Sequence, residues 1–129
     1  HQDDPVLAPV QKRILSSAEY LGQNLEKTPI LFIPCIAGRV EQVSGPIAGF
    51  HASIIPAVWS FMLAARSRGL GTCWTKFHLK YGKEVAAILE IPFEKITQVA
   101  LIPVAYYIGT KFKAAARKPL KEVLHLESW

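Results

Sequence analysis

Five cations close together are the first feature of this sequence that could do chemistry. Lys111, Lys113, Arg117, Lys118 and Lys121 fall in one C-terminal stretch with no acid before Glu122. Such a stretch is either a solvated basic tail or an anion site. Arg117 is the best anion candidate, because a guanidinium grips two phosphate oxygens at once. A second place is Gly69-Leu70-Gly71-Thr72-Cys73-Trp74, which opens like a dinucleotide fingerprint. Trp74 stands where the third glycine belongs, and the segment follows a helical pattern rather than a strand, so it is not a Rossmann turn. No Gly-x-x-x-x-Gly-Lys-Ser/Thr run and no Gly-x-Ser-x-Gly run occurs, which argues against a phosphate-cradling loop and a serine hydrolase.

Metal chemistry is not expected either. His1, His51, His78 and His125 lie far apart, and neither Cys35 nor Cys73 has a partner two to four residues away. The acids are scattered, so no pair of carboxylates is set up for general acid and base work. No residue is assigned as a catalytic acid, base or nucleophile. Without an organic cofactor, this chain has little chemistry of its own. Nucleic acid is a weak alternative: the isoelectric point of about 9.4 permits it. Only Phe112 interleaves the basic stretch, however, and no nucleic-acid motif is present.

The elements that must position these residues can be read from periodicity. Val10, Ile14, Ala18, Leu21 and Leu25 recur at helical steps, predicting a helix over Val10–Lys27 that stops before Thr28-Pro29. Ile30–Ile36 is apolar throughout and too short for a helix, which suits a central strand buried on both faces, with Pro34 costing one ladder bond. Ala37–Phe50 reads as a loop. A second helix is expected over about Ser53–Arg68, with Ser53 as N-cap, Pro56 in the first turn and Gly69 as a left-handed stop. Leu70–Phe77 is extended, Tyr81–Leu89 a short helix, and Ile96–Ile108 a long strand interrupted by Pro103. Pro119–His125 makes a final helical turn or two. Helix and strand alternate, so a layered sheet with flanking helices is favoured over a bundle or sandwich. Residues 1–129 form a single domain in this reading.

Composition sets the remaining bounds. Half of the 129 residues are hydrophobic, 19% are charged, and the net charge is only +5, which excludes a disordered chain. So low a charged fraction implies more apolar surface than one small monomer hides, and a homodimer or a missing piece of chain would cover it. The uncharged stretch Gln42–Ala65 is broken by Ser44, Gly45, Pro46, Gly49 and His51. Its apolar part, Ala52–Ala65, is shorter than the roughly 20 residues a bilayer needs, so a core helix is expected and no membrane. The two cysteines sit in apolar stretches, which suggests free buried thiols and a reducing, cytoplasmic setting. The start, His1-Gln2-Asp3-Asp4, has no signal-peptide pattern and no Met, as a processed or cut N-terminus would.

Four blocks carry a family resemblance. Ala52–Trp74, with Leu63-Ala64-Ala65-Arg66 leading to Gly69-Leu70-Gly71-Thr72, resembles the central helix and following strand of the nitroreductase family. Glu84-Val85 with Ile88-Leu89-Glu90-Ile91-Pro92 resembles its short helix and turn, and Val99–Tyr106 the next strand. Arg117-Lys118-Pro119-Leu120 with Glu122-Val123 resembles its closing segment, while Thr28–Ile36 fits the preceding strand more loosely. The resemblance implies an α+β, nitroreductase-like layered fold with a central, mostly antiparallel or mixed sheet flanked by helices. It further implies a homodimer that binds FMN at the subunit interface. Electrons would pass from NAD(P)H to a small-molecule acceptor such as a nitro compound or quinone. A deazaflavin-type cofactor is the alternative to FMN. Arg117 would hold the flavin phosphate, with Lys118 as a weaker second contact. Cys73, Trp74, Thr75 and Lys76 would approach the ring, largely through backbone N–H groups.

One part of the family pattern is absent. Members begin with a helix and an Arg-Arg-Ser-type motif that grips the flavin, and no such motif occurs in His1–Gln23. The expectation is therefore the C-terminal part of a family member, either cut at its N-terminus or a shortened relative, with weaker flavin affinity, since each charge-assisted contact contributes about 1.5–3 kcal/mol. The competing reading is a flavin-free binding or dimerisation module on the same fold.

Overall fold

A computed structural model of the chain describes residues 7–42, 44–112, 114, 117 and 119–129. The helical stripe of Val10, Ile14, Ala18 and Leu21 forms α1 (Leu7–Asn24), which tightens into a 3-10 turn at Leu25–Lys27. Thr28 N–H closes that turn on Leu25 O at 3.1 Å, and Pro29 prevents further helix. The apolar run that follows is not one central strand. It divides at Ile33-Pro34 into β1 (Ile30–Phe32) and β2 (Cys35–Ala37), which join different sheets. The reason is Pro34, which has no N–H to continue a ladder; its carbonyl instead accepts from Val99 N–H at 2.9 Å.

The stretch read as a loop holds a 3-10 turn at Val40–Gln42 and a short helix, α2 (Ile47–Ala52), which starts after Pro46. Next comes α3 (Ile55–Ser67), with proline in its first turn as expected. Ser53 is not its N-cap: Ile54 holds that position, while Ser53 Oγ donates to Phe50 O at 2.9 Å and closes α2. By length and composition Ile47–Ser67 could cross a membrane, but in the fold it is two helices separated at Ser53-Ile54. Gly69 ends α3 with φ +78°, a conformation that costs an L side chain about 1–2 kcal/mol.

β3 (Leu70–Thr72), α4 (Gly82–Ile88), β4 (Ile96–Gln98) and β5 (Ile102–Tyr106) complete the framework. The long strand read over Ile96–Ile108 is thus two strands in two sheets. Both sheets are antiparallel: β5 lies between β1 and β3 in one, and β2 pairs with β4 in the other. This is an α+β fold whose sheet is split in two and antiparallel throughout. Pro103 is tolerated inside β5 because β3 pairs only with Val104–Tyr106, leaving Pro103 opposite Leu31 of the edge strand β1. The core is small. Val58 of α3 packs on Ala100, Ile102 and Val104, with Phe32, Ile54, Met62, Leu70 and Trp74 around them. On the flank of α3, about a quarter-turn from its core side, Ile55, Trp59 and Leu63 recur every four residues and stay 44%, 57% and 54% exposed.

A cleft between the first helix and the Cys73–Phe77 segment

Immediately after β3 the chain is tied back to the sheet by a single residue. Thr75 is buried and exchanges backbone hydrogen bonds with Leu101, at 3.0 Å from its N–H and 2.9 Å to its carbonyl. Its hydroxyl also donates to Leu101 O at 2.8 Å. Strand alternation then turns the residues on either side, Trp74 and Lys76, away from that bridge. Among the described residues, the N–H groups of Trp74 and Lys76 donate to no backbone carbonyl, so both are available to a ligand. Lys76 O accepts from Leu79 N–H at 3.1 Å, which starts the 3-10 turn Phe77–Tyr81.

This segment forms one wall of a cleft of about 770 Å³, within the range of small-molecule sites. The other wall is α1, through Val10, Arg13, Ile14, Ala18 and Leu21, and α1 also packs on the turn that follows it. Cys73, Trp74, Thr75 and Lys76 all line the cleft, so the structure brings these four expected residues together. Trp74 is half-buried and serves both the cleft and the core, whereas Cys73 is exposed. Cys35 is exposed too, which corrects the expectation of buried thiols; both sit next to short, open strand ends rather than inside the core.

Among the described residues, charge in the cleft has one sign. Its charged lining residues are Arg13 and Lys76, one from each wall, among apolar and small polar groups. Arg13 is the residue that sequence reasoning missed. Its only signal was its place beside Ile14 at the margin of the apolar stripe. A second groove of about 300 Å³ runs from Leu21 and Thr28 over Gly71, Thr72 and Cys73 to Pro103, Ala105, Tyr106 and Tyr107. Arg117 is exposed and lines neither space, and Lys118 lies outside the described residues.

Behind the cleft wall sits His78, buried, with neither ring nitrogen hydrogen-bonded. Burial holds its pKa below the usual histidine value; Gln98 beside it favours the charged form, but less strongly. The Gln98 amide is committed elsewhere, donating from Nε2 to Gly82 O at 2.7 Å.

No curated protein and no solved structure matches this chain. A model of the nitroreductase family does, over residues 3–106. That match runs through α1, which the motifs alone left outside the family pattern, and it ends with β5, ahead of the basic stretch. The chain belongs to the nitroreductase family.

Proposed function

We propose that this chain is a flavin-dependent oxidoreductase that holds FMN in the cleft between α1 and Cys73–Phe77. Electrons pass from NAD(P)H to a small acceptor, such as a nitro compound or a quinone. The observation that carries this reading is that Cys73, Trp74, Thr75 and Lys76 line one ligand-sized cleft in a chain of nitroreductase type. The donor set suits a flavin: aromatic and aliphatic walls for a planar ring, unspent N–H groups at Trp74 and Lys76, and the cations Arg13 and Lys76 for negative charge. The chemistry that a bound flavin supplies is two-electron transfer between a nicotinamide and an acceptor.

The chain's own residues bind and orient. The Thr75–Leu101 bridge fixes the N–H groups on either side of it, so they need not reorganise when charge gathers at the ring edge. Arg117 is the phosphate ligand in this reading, with Lys118 as the weaker second contact. No side chain is asked to act as an acid or base. A cytoplasmic setting goes with the reduced nicotinamide.

The partner in this reading is a second copy of the chain. The chain exposes 10546 Å², against about 6,800 Å² expected for a folded monomer of its mass. An obligate dimer buries about 2,000–5,000 Å² in total, so pairing is of the right size to absorb much of that excess. The exposed stripe Ile55–Trp59–Leu63 on α3 is the apolar face offered to it.

Titration of FMN into the full chain, followed by flavin fluorescence, tests the proposal. Saturable quenching is expected, and Arg117→Ala should weaken it by about tenfold or more. A deazaflavin titrated in parallel decides between the two cofactor types. Protein that stays colourless and ignores both flavins would instead be the flavin-free module, and an unchanged Arg117→Ala affinity would remove the phosphate assignment.

A further inference from the structure

Arg66 belongs to neither of the two spaces described, yet it is unusually well held. It lies in the last turn of α3, where the helix dipole favours a cation. Its guanidinium carbon sits 4.4 Å from the centroid of the Tyr107 ring and 4.2 Å from that of Phe112. The two rings also meet each other edge to face at 5.1 Å, so one cation is shared by a coupled aromatic pair. Among the described residues no carboxylate pairs with Arg66, which leaves the ring faces as its partners.

The path of the chain explains how two residues five apart reach one cation. Tyr107 follows β5 directly, Ile108 points fully into solvent, and Gly109 turns the backbone at φ +85°. Phe112 is thereby returned to the end of α3. Gly71 of β3 leaves the room: a Cβ there would already touch Tyr107 Cβ at 3.4 Å. Tyr107 also borders the second groove together with Gly71 and Cys73. The clamp therefore fixes the base of the basic arm next to the segment that lines the main cleft.

We propose that Arg66 is a positioning residue: by clamping Tyr107 and Phe112 it sets where the arm bearing Lys111 and Arg117 starts, and so delivers Arg117 to the anionic end of the ligand. This rests on the flavin reading given above. The Arg66→Lys variant keeps the charge but carries a compact, strongly hydrated point cation in place of the broad, weakly hydrated guanidinium that reaches both rings, so it restores the function only in part.

Two measurements on the full chain test this. Nuclear Overhauser contacts between the Tyr107 and Phe112 rings, which meet at 5.1 Å, should be lost in Arg66→Ala, while the amides of β3 and β5 keep their exchange protection. FMN affinity should fall about tenfold in Arg66→Ala, with partial recovery in Arg66→Lys. In an Arg117→Ala background, Arg66→Ala should have no further effect on FMN affinity, a coupling that a general loss of stability would not produce. The proposal is overturned by Tyr107–Phe112 ring contacts that persist unchanged in Arg66→Ala, or by FMN affinities that add independently in the double variant. Wild-type chain that takes up no FMN overturns the flavin reading itself and the positioning role with it. A failure of the inference alone differs, because wild type then binds FMN and Arg66→Ala binds it equally well.

Discussion

In the proposed dimer, replacing Trp59 by alanine should separate the two copies into folded monomers. Trp59 lies about a quarter-turn round α3 from the side bearing Val58, Met62 and Ala65 and is not one of the core residues, so its removal leaves the buried cluster in place. It is 57% exposed. A tryptophan can bury about 150–250 Å², so about 100 Å² or more of it remains to be covered by a partner. At about 25 cal/mol per Å² that is roughly 3 kcal/mol per copy, and a two-fold contact counts it twice. Association returns less than the full area term, because side chains are ordered and polar groups desolvated, so a dimer weakened by at least about a hundredfold is the working expectation. Sedimentation equilibrium over a concentration series measures this directly, with circular dichroism melts to show that the variant is still folded. Wild type that sediments as a monomer at high concentration, or a variant whose dimer dissociates within threefold of wild type, would refute the reasoning.

Two further expectations concern stability. His78 is held neutral in the fold, so the unfolded chain takes up a proton at higher pH than the folded one does. Stability is therefore complete above the ordinary histidine value and falls as pH drops below about 6.5, by at most about 1.4 kcal/mol per pH unit. His78→Leu should flatten that slope in urea titrations at pH 5 to 7, and an unchanged slope would assign it to another group. Gly69→Ala should cost about 1–2 kcal/mol through backbone strain alone, since a Cβ there meets nothing within 4 Å. Chemical denaturation reads this out, and a stabilised variant would mean that the left-handed turn is not kept in solution.

Much of the fold was legible because periodicity and stop signals agree locally. The stripe from Val10 to Leu21, the glycine stop at Gly69 and the proline after Ile91 each point to one element end, and α1, α3 and α4 fall close to where they were read, whereas α2 lies in a stretch read as loop. What could not be read was how the strands divide. Ile30–Ile36 looks like one buried strand because pattern alone does not show which ladder Pro34 interrupts, and only tertiary pairing with Val104 on one side and Gln98 on the other reveals two. The site splits in the same way. Cys73–Lys76 are contiguous, so one motif delivers them together, whereas Arg13 arrives from a helix some sixty residues away and nothing in the linear pattern announces it. Arg66 stood in the sequence as the end of the Leu63-Ala64-Ala65-Arg66 block, and the structure puts it in the last turn of α3. Its two aromatic partners come from a turn whose closure depends on Gly109, and spacing does not show that.

The edge position of β1 has a consequence for solubility. Its unpaired side, with Ile30 and Leu31 at 58% and 45% exposure, is the kind of open border on which foreign strands assemble into fibres. The prolines on its two flanks, Pro29 and Pro34, leave only four residues between them, Ile30–Ile33, that could template such growth. A fibril seeded there would run out of hydrogen-bond donors almost at once. The same imino acids that divide the strand thus also guard the molecule against polymerising.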